Sequence, residues 1–288
     1  MKRILVALDL SPSSEWAFER AVQLAGADGA SLDAVHVIDD QLLRYGDQSE
    51  EFGATLAARA EAKLARLWPD LPASLRPRFR HAVRTGKPSE GIMAAASEYG
   101  ADLIVLGMHR ASAMKELFVG TTAERIIRQS DAPVLMVRDN PGGPYRKVLI
   151  ATDLSEASSR ALQAALRLVP AADFLVGHIF ETPFPGLIRM TEEQADDYRK
   201  QRAAETDELV RRDLEAFLAV HTGPKKPTIT SFCERGEAIG GLAAMVERHQ
   251  PELLVIGTNG SDGGAGSRLG SVAVAFLNNP PCDVLVSH

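Results

Sequence analysis

A chain of 288 residues is long enough for two domains of ordinary size, and 45% hydrophobic with 24% charged residues is the balance of a globular protein with real cores. A net charge of −6 and a pI near 5.7 leave no dominant basic surface, which argues against nucleic acid and anionic membrane as partners. Two cysteines, Cys233 and Cys282, form no CxxC pair, so a disulfide framework and a zinc site are disfavoured and a reducing compartment is expected.

At the N-terminus, Met1-Lys2-Arg3 precedes an apolar run that stops at Asp9. That run is too short for a signal peptide, no small-residue cleavage site follows, and no segment reaches the length of a membrane span. A cytoplasmic location is expected. In the first half, the apolar runs 4–8, 34–38, 79–83, 103–106 and 134–137 read as strands buried on both faces. Ser11 with Pro12 starts a helix, because a hydroxyl caps free amides and proline suits the first turn. Charged helices are expected near residues 48–68 and again near 191–220, as solvated outer faces. In the second half, Leu162, Ala165, Leu166 and Val169 trace one helical face.

The chain repeats itself. KRILVALDLS at 2–11 returns as RKVLIATDLS at 146–155, with Asp9 and Asp153 separated by 144 positions. The run 34–38 parallels 175–179, ADLIVLG at 101–107 parallels PELLVIG at 251–257, and PVLMV at 133–137 parallels DVLV at 283–286. Ordered matches over nearly the whole length indicate a duplicated unit. The boundary is expected in the breaker-rich DNPGGP at 139–144, giving domains of 1–140 and 145–288. Strands alternating with helices predict, in each half, a doubly wound parallel sheet of five strands.

In such sheets ligands lie beyond the carboxyl ends of the strands, where the strand order reverses. Asp9 and Asp153 end first strands, and Gly107 and Gly257 end fourth strands. The second-half loop reads Gly257-Thr-Asn-Gly260, nine residues, then Gly270-Ser271 opening a helix. Glycines let backbone amides approach phosphate oxygens, and a helix N-terminus adds unpaired donors and partial positive charge. Ser271 adds a hydroxyl, and Arg268 could bring a full charge.

On these residues the chain resembles a tandem universal stress protein. The resemblance implies an adenine-nucleotide α-hydrolase-like, Rossmann-like fold, and ATP-binding members carry G-x2-G-x9-G-[ST], matched here by Gly257, Gly260, Gly270 and Ser271. It further implies that Asp153, beside Thr152, contacts ribose or a divalent ion such as Mg²⁺. Ile179, after His178, would meet adenine, and the loop from Gly257 to Ser271 would hold the phosphates. The first half keeps Asp9, Val37, Gly107, Gly120 and Thr121, but Arg110 stands where the second glycine belongs. Either Arg110 blocks the approach of backbone to phosphate, or its guanidinium pairs with phosphate from a rearranged loop. The first is favoured, since the glycine is needed for its missing side chain, so one degenerate and one intact motif are expected.

Simpler readings stand beside these. Asp9 and Asp153 also suit turns that prepare the following helix. His36 and His178 recur at one position and suit hydrogen-bonded structure better than base catalysis, and the remaining histidines show no metal-ligand spacing. The helix SVAVAFL at 271–277 is apolar nearly all round, whereas its counterpart TTAERII at 121–127 is not. It is expected to pack against the other domain or a second subunit. The last strands, 134–137 and 284–286, are candidate edges for dimer pairing.

No Walker lysine or acid/base pair supplies a catalytic set. The sequence reading is therefore a cytoplasmic stress or signalling module that binds ATP with Mg²⁺ in its C-terminal domain, as a homodimer or as a pseudo-dimer of its two domains. The alternatives are a nucleotide-free dimerising scaffold and a slow ATP hydrolase or nucleotidyl transferase.

Overall fold

The computed structural model describes residues 1–41, 50–67, 69–110, 117–118, 121–181, 192–222, 228–258 and 269–288. The first half runs β1 (Arg3–Ala7), α1 (Pro12–Asp28), β2 (Ser31–Asp39), α2 (Glu50–Ala65), β3 (Phe79–Gly86), α3 (Pro88–Tyr99) and β4 (Leu103–Gly107). It continues with the short β5 (His109–Arg110) and β6 (Leu117–Phe118), then α4 (Thr121–Gln129) and β7 (Val134–Val137). The second half runs β8 (Lys147–Ala151), α5 (Glu156–Leu168), β9 (Asp173–Phe180), α6 (Glu192–His221) and β10 (Ile229–Arg235). It closes with α7 (Ala238–His249), β11 (Leu253–Gly257), α8 (Ser271–Asn278) and β12 (Asp283–Ser287).

Within the halves the strands are parallel, ordered β3-β2-β1-β4-β7 and β10-β9-β8-β11-β12. The order reverses between β1 and β4, and again between β8 and β11. The two sheets are not separate. β7 and β12 pair antiparallel, Leu135 opposite Leu285, and fuse the halves into one sheet of ten strands. The strands expected as edges for a partner subunit are therefore occupied by each other, and the edges of the fused sheet are β3 and β10.

Strand residues alternate between two faces. Ile4, Val6, Leu135, Val148, Ile150 and Leu285 point to the face covered by α1, α2, α5 and α6. Leu5, Ala7, Met136, Leu149, Val284 and Val286 point to the face covered by α3, α4, α7 and α8. Each core continues from one half into the other, which makes the halves one packing unit. α8 touches β6 of the first half, but its buried residues are Ala273, Phe276 and Leu277, and Val274, expected to be covered, is 37% exposed.

Tertiary clamps repeat as well. Asp102 Oδ2 accepts from the amides of Lys2 (2.6 Å) and Arg3 (3.0 Å) at the start of β1. Glu252 Oε2 does the same for Arg146 (2.5 Å) and Lys147 (3.1 Å) at the start of β8.

At the seam, a polar cluster ties the halves. The buried Tyr145 hydroxyl donates to Asp283 Oδ2 (2.5 Å), and the Arg138 amide donates to Oδ1 (2.9 Å). Arg20 of α1 reaches the same carboxylate at 3.4 Å, donates to the Gly143 carbonyl at 2.7 Å, and lies 3.9 Å over the Tyr145 ring. Burial pushes the Tyr145 hydroxyl well above its ordinary pKa. Burial also raises Asp283, against the opposing pull of Tyr145, the Arg138 amide and Arg20. A cavity of about 310 Å³ opens beside this cluster. It sits at the amino-terminal ends of β8, β11 and β12, the opposite edge of the sheet from Asp153 and Gly257.

Candidate functional site

The register brings the expected site residues of the second half to one edge. Val255 of β11 pairs with Ile150 of β8, so Gly257 and Thr152 stand level, each two residues further on. Ala151 pairs with Gly177 of β9, so Asp153 and Ile179 are level likewise. Thr152, Asp153, Ile179 and Gly257 thus share the carboxyl edge at the point where strand order reverses. Gly270 and Ser271 join them through a hydrogen bond from the Gly270 amide to the Thr258 carbonyl (2.7 Å). Gly260 and Arg268 lie outside the described residues, as does Gly120 in the first half; Arg110 falls in β5.

The turn after β8 is built from its own side chains. Thr152 is only 6% exposed. Its hydroxyl meets Ser158 Oγ (2.8 Å) and accepts from the Leu154 amide (3.0 Å), so its side chain serves the turn. Asp153 Oδ1 accepts from the Ser155 amide (3.1 Å), and Ser155 caps α5 by accepting from the Ser158 amide (3.2 Å). The first half repeats this: Asp9 Oδ1 accepts from the Ser11 amide (3.0 Å) and hydroxyl (2.5 Å), and Ser11 caps α1. The turn-forming role of both aspartates is therefore present.

Two features of these turns escaped the sequence. Leu10 and Leu154, each directly after the aspartate, sit at φ 64° and 65°, a left-handed conformation that costs a branched L-residue roughly 1–2 kcal/mol. Both leucines pack against the core, which offsets that strain. The repeated D-L-S triplet was the available signal.

Packing dictates the glycine that ends β4 and leaves less room than usual at the one that ends β11. A Cβ on Gly107 would stand 2.4 Å from the Ser13 carbonyl oxygen, and one on Gly257 would stand 3.1 Å from Ala157 C and Ser158 N. The first turn of α1 or α5 therefore presses directly onto the strand end, bringing a helix N-terminus to the edge. A second pair of glycines, unnoticed in the sequence, makes room for the expected adenine contacts. A Cβ on Gly91 would come within 2.9 Å of Val37, and one on Gly241 within 2.9 Å of Ile179.

His36 and His178 are structural. Each ring presents Nδ1 to the carbonyl of the residue before an aspartate, Leu8 (2.6 Å) and Thr152 (2.7 Å). A carbonyl only accepts, so Nδ1 carries the proton.

α8 begins differently from α1 and α5. Its cap is Gly270, which has no side chain to satisfy the first amides. No group of three or more His, Cys, Asp or Glu that could hold a metal is found among the described residues, and none of their helices is long and apolar enough to cross a membrane.

The model of the universal stress protein family matches the chain twice, over residues 1–138 and 144–288. Universal stress protein A homolog 1 of Coxiella burnetii is 30% identical over 138 residues, covering 47% of this chain and 95% of that protein. A universal stress protein of Methanocaldococcus jannaschii is 24% identical over 153 residues, 48% of this chain and 94% of its own length. The crystal structure of a universal stress protein from Archaeoglobus fulgidus superposes on 99% of this chain and 97% of its own, with a TM-score of 0.67 at 18% identity. That last likeness concerns the fold.

Proposed function

The chain belongs to the universal stress protein family, and we propose that its second half binds ATP, with Mg²⁺, along the edge from Asp153 to Ser271. The observation that supports this best is the start of α8. Gly270 is held at the strand edge by Thr258, and its helix offers uncapped amides beside the Ser271 hydroxyl, the donor set that a phosphate group needs. Gly257 and Gly260 allow close approach, Arg268 adds charge, and Ile179 gives an apolar contact for adenine. Mg²⁺ in nucleotide sites takes one or two carboxylates, with phosphates and water completing its shell, so Asp153 suffices as the protein's contribution. The metal is expected to arrive with the nucleotide.

The first half, with Asp9, Val37, Gly107, Gly120 and Thr121 but with Arg110 in place of the second glycine, is a weak or silent site. The domains are 1–140 and 145–288. The function is a cytoplasmic one, in which bound nucleotide biases a conformational or partner equilibrium in a stress response. The pairing of β7 with β12 supports reading the two halves as a pseudo-dimer within one chain, in which case a homodimer would use another surface.

Titration calorimetry with Mg-ATP tests the reading. Wild type is expected to bind, and Gly260→Arg, which copies the first half, to lose at least about tenfold in affinity, or 1.4 kcal/mol. No binding by the wild type would favour the scaffold alternative. Sustained phosphate release abolished by Asp153→Ala would favour the enzyme.

A further inference from the structure

Thr258 follows Gly257 directly and is 1% exposed. Its amide donates to the Ser287 carbonyl (2.9 Å), its carbonyl accepts from Gly270 (2.7 Å), and its Oγ1 lies 3.0 Å from His288 Nδ1. Thr258 is thus the residue at which the two ends of the 257–271 loop are drawn together. The other ring nitrogen of His288, Nε2, meets the main-chain carbonyl of Ile127 in α4, which belongs to the first half. A carbonyl only accepts, so Nε2 carries the proton, and Nδ1 shares a hydrogen bond with the Thr258 hydroxyl. Arg160 of α5 steadies the His288 main chain by donating to its oxygen at 2.5 Å.

Ile127 lies in the last turn of α4, where carbonyls have no partner within the helix. The imidazole fills that vacancy. At its other end α4 opens on Thr121, the first-half counterpart of Ser271. One unbroken path therefore joins the two loops: Gly270 to Thr258, through the His288 ring to Ile127, and along α4 to Thr121. Among the described residues the reverse path lacks an equivalent. Met108 stands in the place of Thr258 and has no hydroxyl, and Arg138, in the place of His288, donates to the Pro281 carbonyl.

We propose that His288 is a positioning residue that couples the two loops, so that a ligand bound at the second-half loop changes the stability of α4 in the first half. This rests on the second half being a nucleotide site and adds its route of regulation. By linkage, an effector bound at α4 whose affinity the nucleotide changes would change the affinity for nucleotide by the same factor.

Hydrogen exchange on the full chain with and without Mg-ATP tests the coupling, with His288→Ala and Thr258→Val as variants. His288 lies beyond β12 and Thr258→Val keeps the side chain's shape, so both are expected to fold. In wild type, nucleotide is expected to slow exchange in the last turn of α4 at least about fivefold, the low end of such couplings. Both variants are expected to lose that response, and without ligand to exchange faster in that turn than wild type. Bound nucleotide with no response in α4, or a response that survives both substitutions, overturns the coupling and leaves the binding reading intact. No bound nucleotide in wild type overturns both.

Discussion

Substituting alanine for Gly107 and, separately, for Gly257 asks how closely each helix presses on its strand. At Gly107 the added methyl would meet backbone, the Ser13 oxygen at 2.4 Å and its carbonyl carbon at 2.7 Å. Ordinary contact between such atoms is roughly 3.5 Å, so the first turn of α1 must retreat by about 1 Å. Neither atom is the end of a flexible side chain, so the displacement carries the whole helix start, including the Ser11 cap. Overpacking in a tight core costs about 1–3 kcal/mol, and Gly107→Ala should reach or exceed the upper figure. At Gly257 the nearest atoms stand at 3.1 Å, and a shift of a few tenths of an ångström relieves the contact. Its cost, about 1 kcal/mol at most, is partly offset by the reduced freedom of the unfolded chain, about 0.4–1 kcal/mol. For a chain of this size about 2 °C of melting temperature corresponds to 1 kcal/mol. Thermal unfolding followed by circular dichroism should therefore show Gly107→Ala at least about 6 °C below wild type and Gly257→Ala within about 2 °C of it. Equal melting temperatures for the two variants would refute the packing argument.

Other expectations follow from the seam and the loops. Tyr145→Phe removes the hydroxyl that donates to the buried Asp283 and should cost about 1–3 kcal/mol; urea unfolding measures it. Burial raises the Asp283 pKa above the ordinary 3.8. The stability held by its protonated form is therefore complete below 3.8 and is lost as pH rises through the raised folded value. Asp283→Asn should flatten the pH dependence of melting above 3.8, and an unchanged slope would contradict the assignment. Native mass spectrometry in Mg-ATP should count one nucleotide per wild-type chain and a second in Arg110→Gly; two in the wild type would show that Arg110 does not close the first site.

Much of the architecture could be read before any coordinates. Apolar runs bounded by breakers located the main strands, and the repeat placed Asp153 and Gly257 at one edge because a parallel sheet puts equivalent strand ends together. The pairing of β7 with β12 was not legible. VLMV and DVLVS are apolar on both faces, which signals burial, but nothing local to either run specifies which strand will lie beside it. The roles of Gly91 and Gly241 were hidden for a similar reason, since their neighbours Val37 and Ile179 are more than fifty residues away in sequence. The repeated position of His36 and His178 points to hydrogen-bonded structure, yet the carbonyls that hold them are visible only in the folded chain. Arg84 with Glu98 in one half corresponds to Glu234 with Arg248 in the other, charges exchanged and the ion pair kept. That compensation is invisible until contact is known.

Joining the two halves in one chain frees them from a constraint that binds identical subunits. When two copies of one gene product meet across a twofold axis, every substitution appears on both sides of the boundary and must suit both. Across the strand pair at the centre of this sheet, the sides are encoded separately. Arg138 and His288 occupy equivalent strand ends and do different things: one reaches the Pro281 carbonyl, the other links Thr258 to Ile127. A duplicated gene can thus turn a mirror-like contact into one with a sender and a receiver, and each side can be selected without disturbing the other.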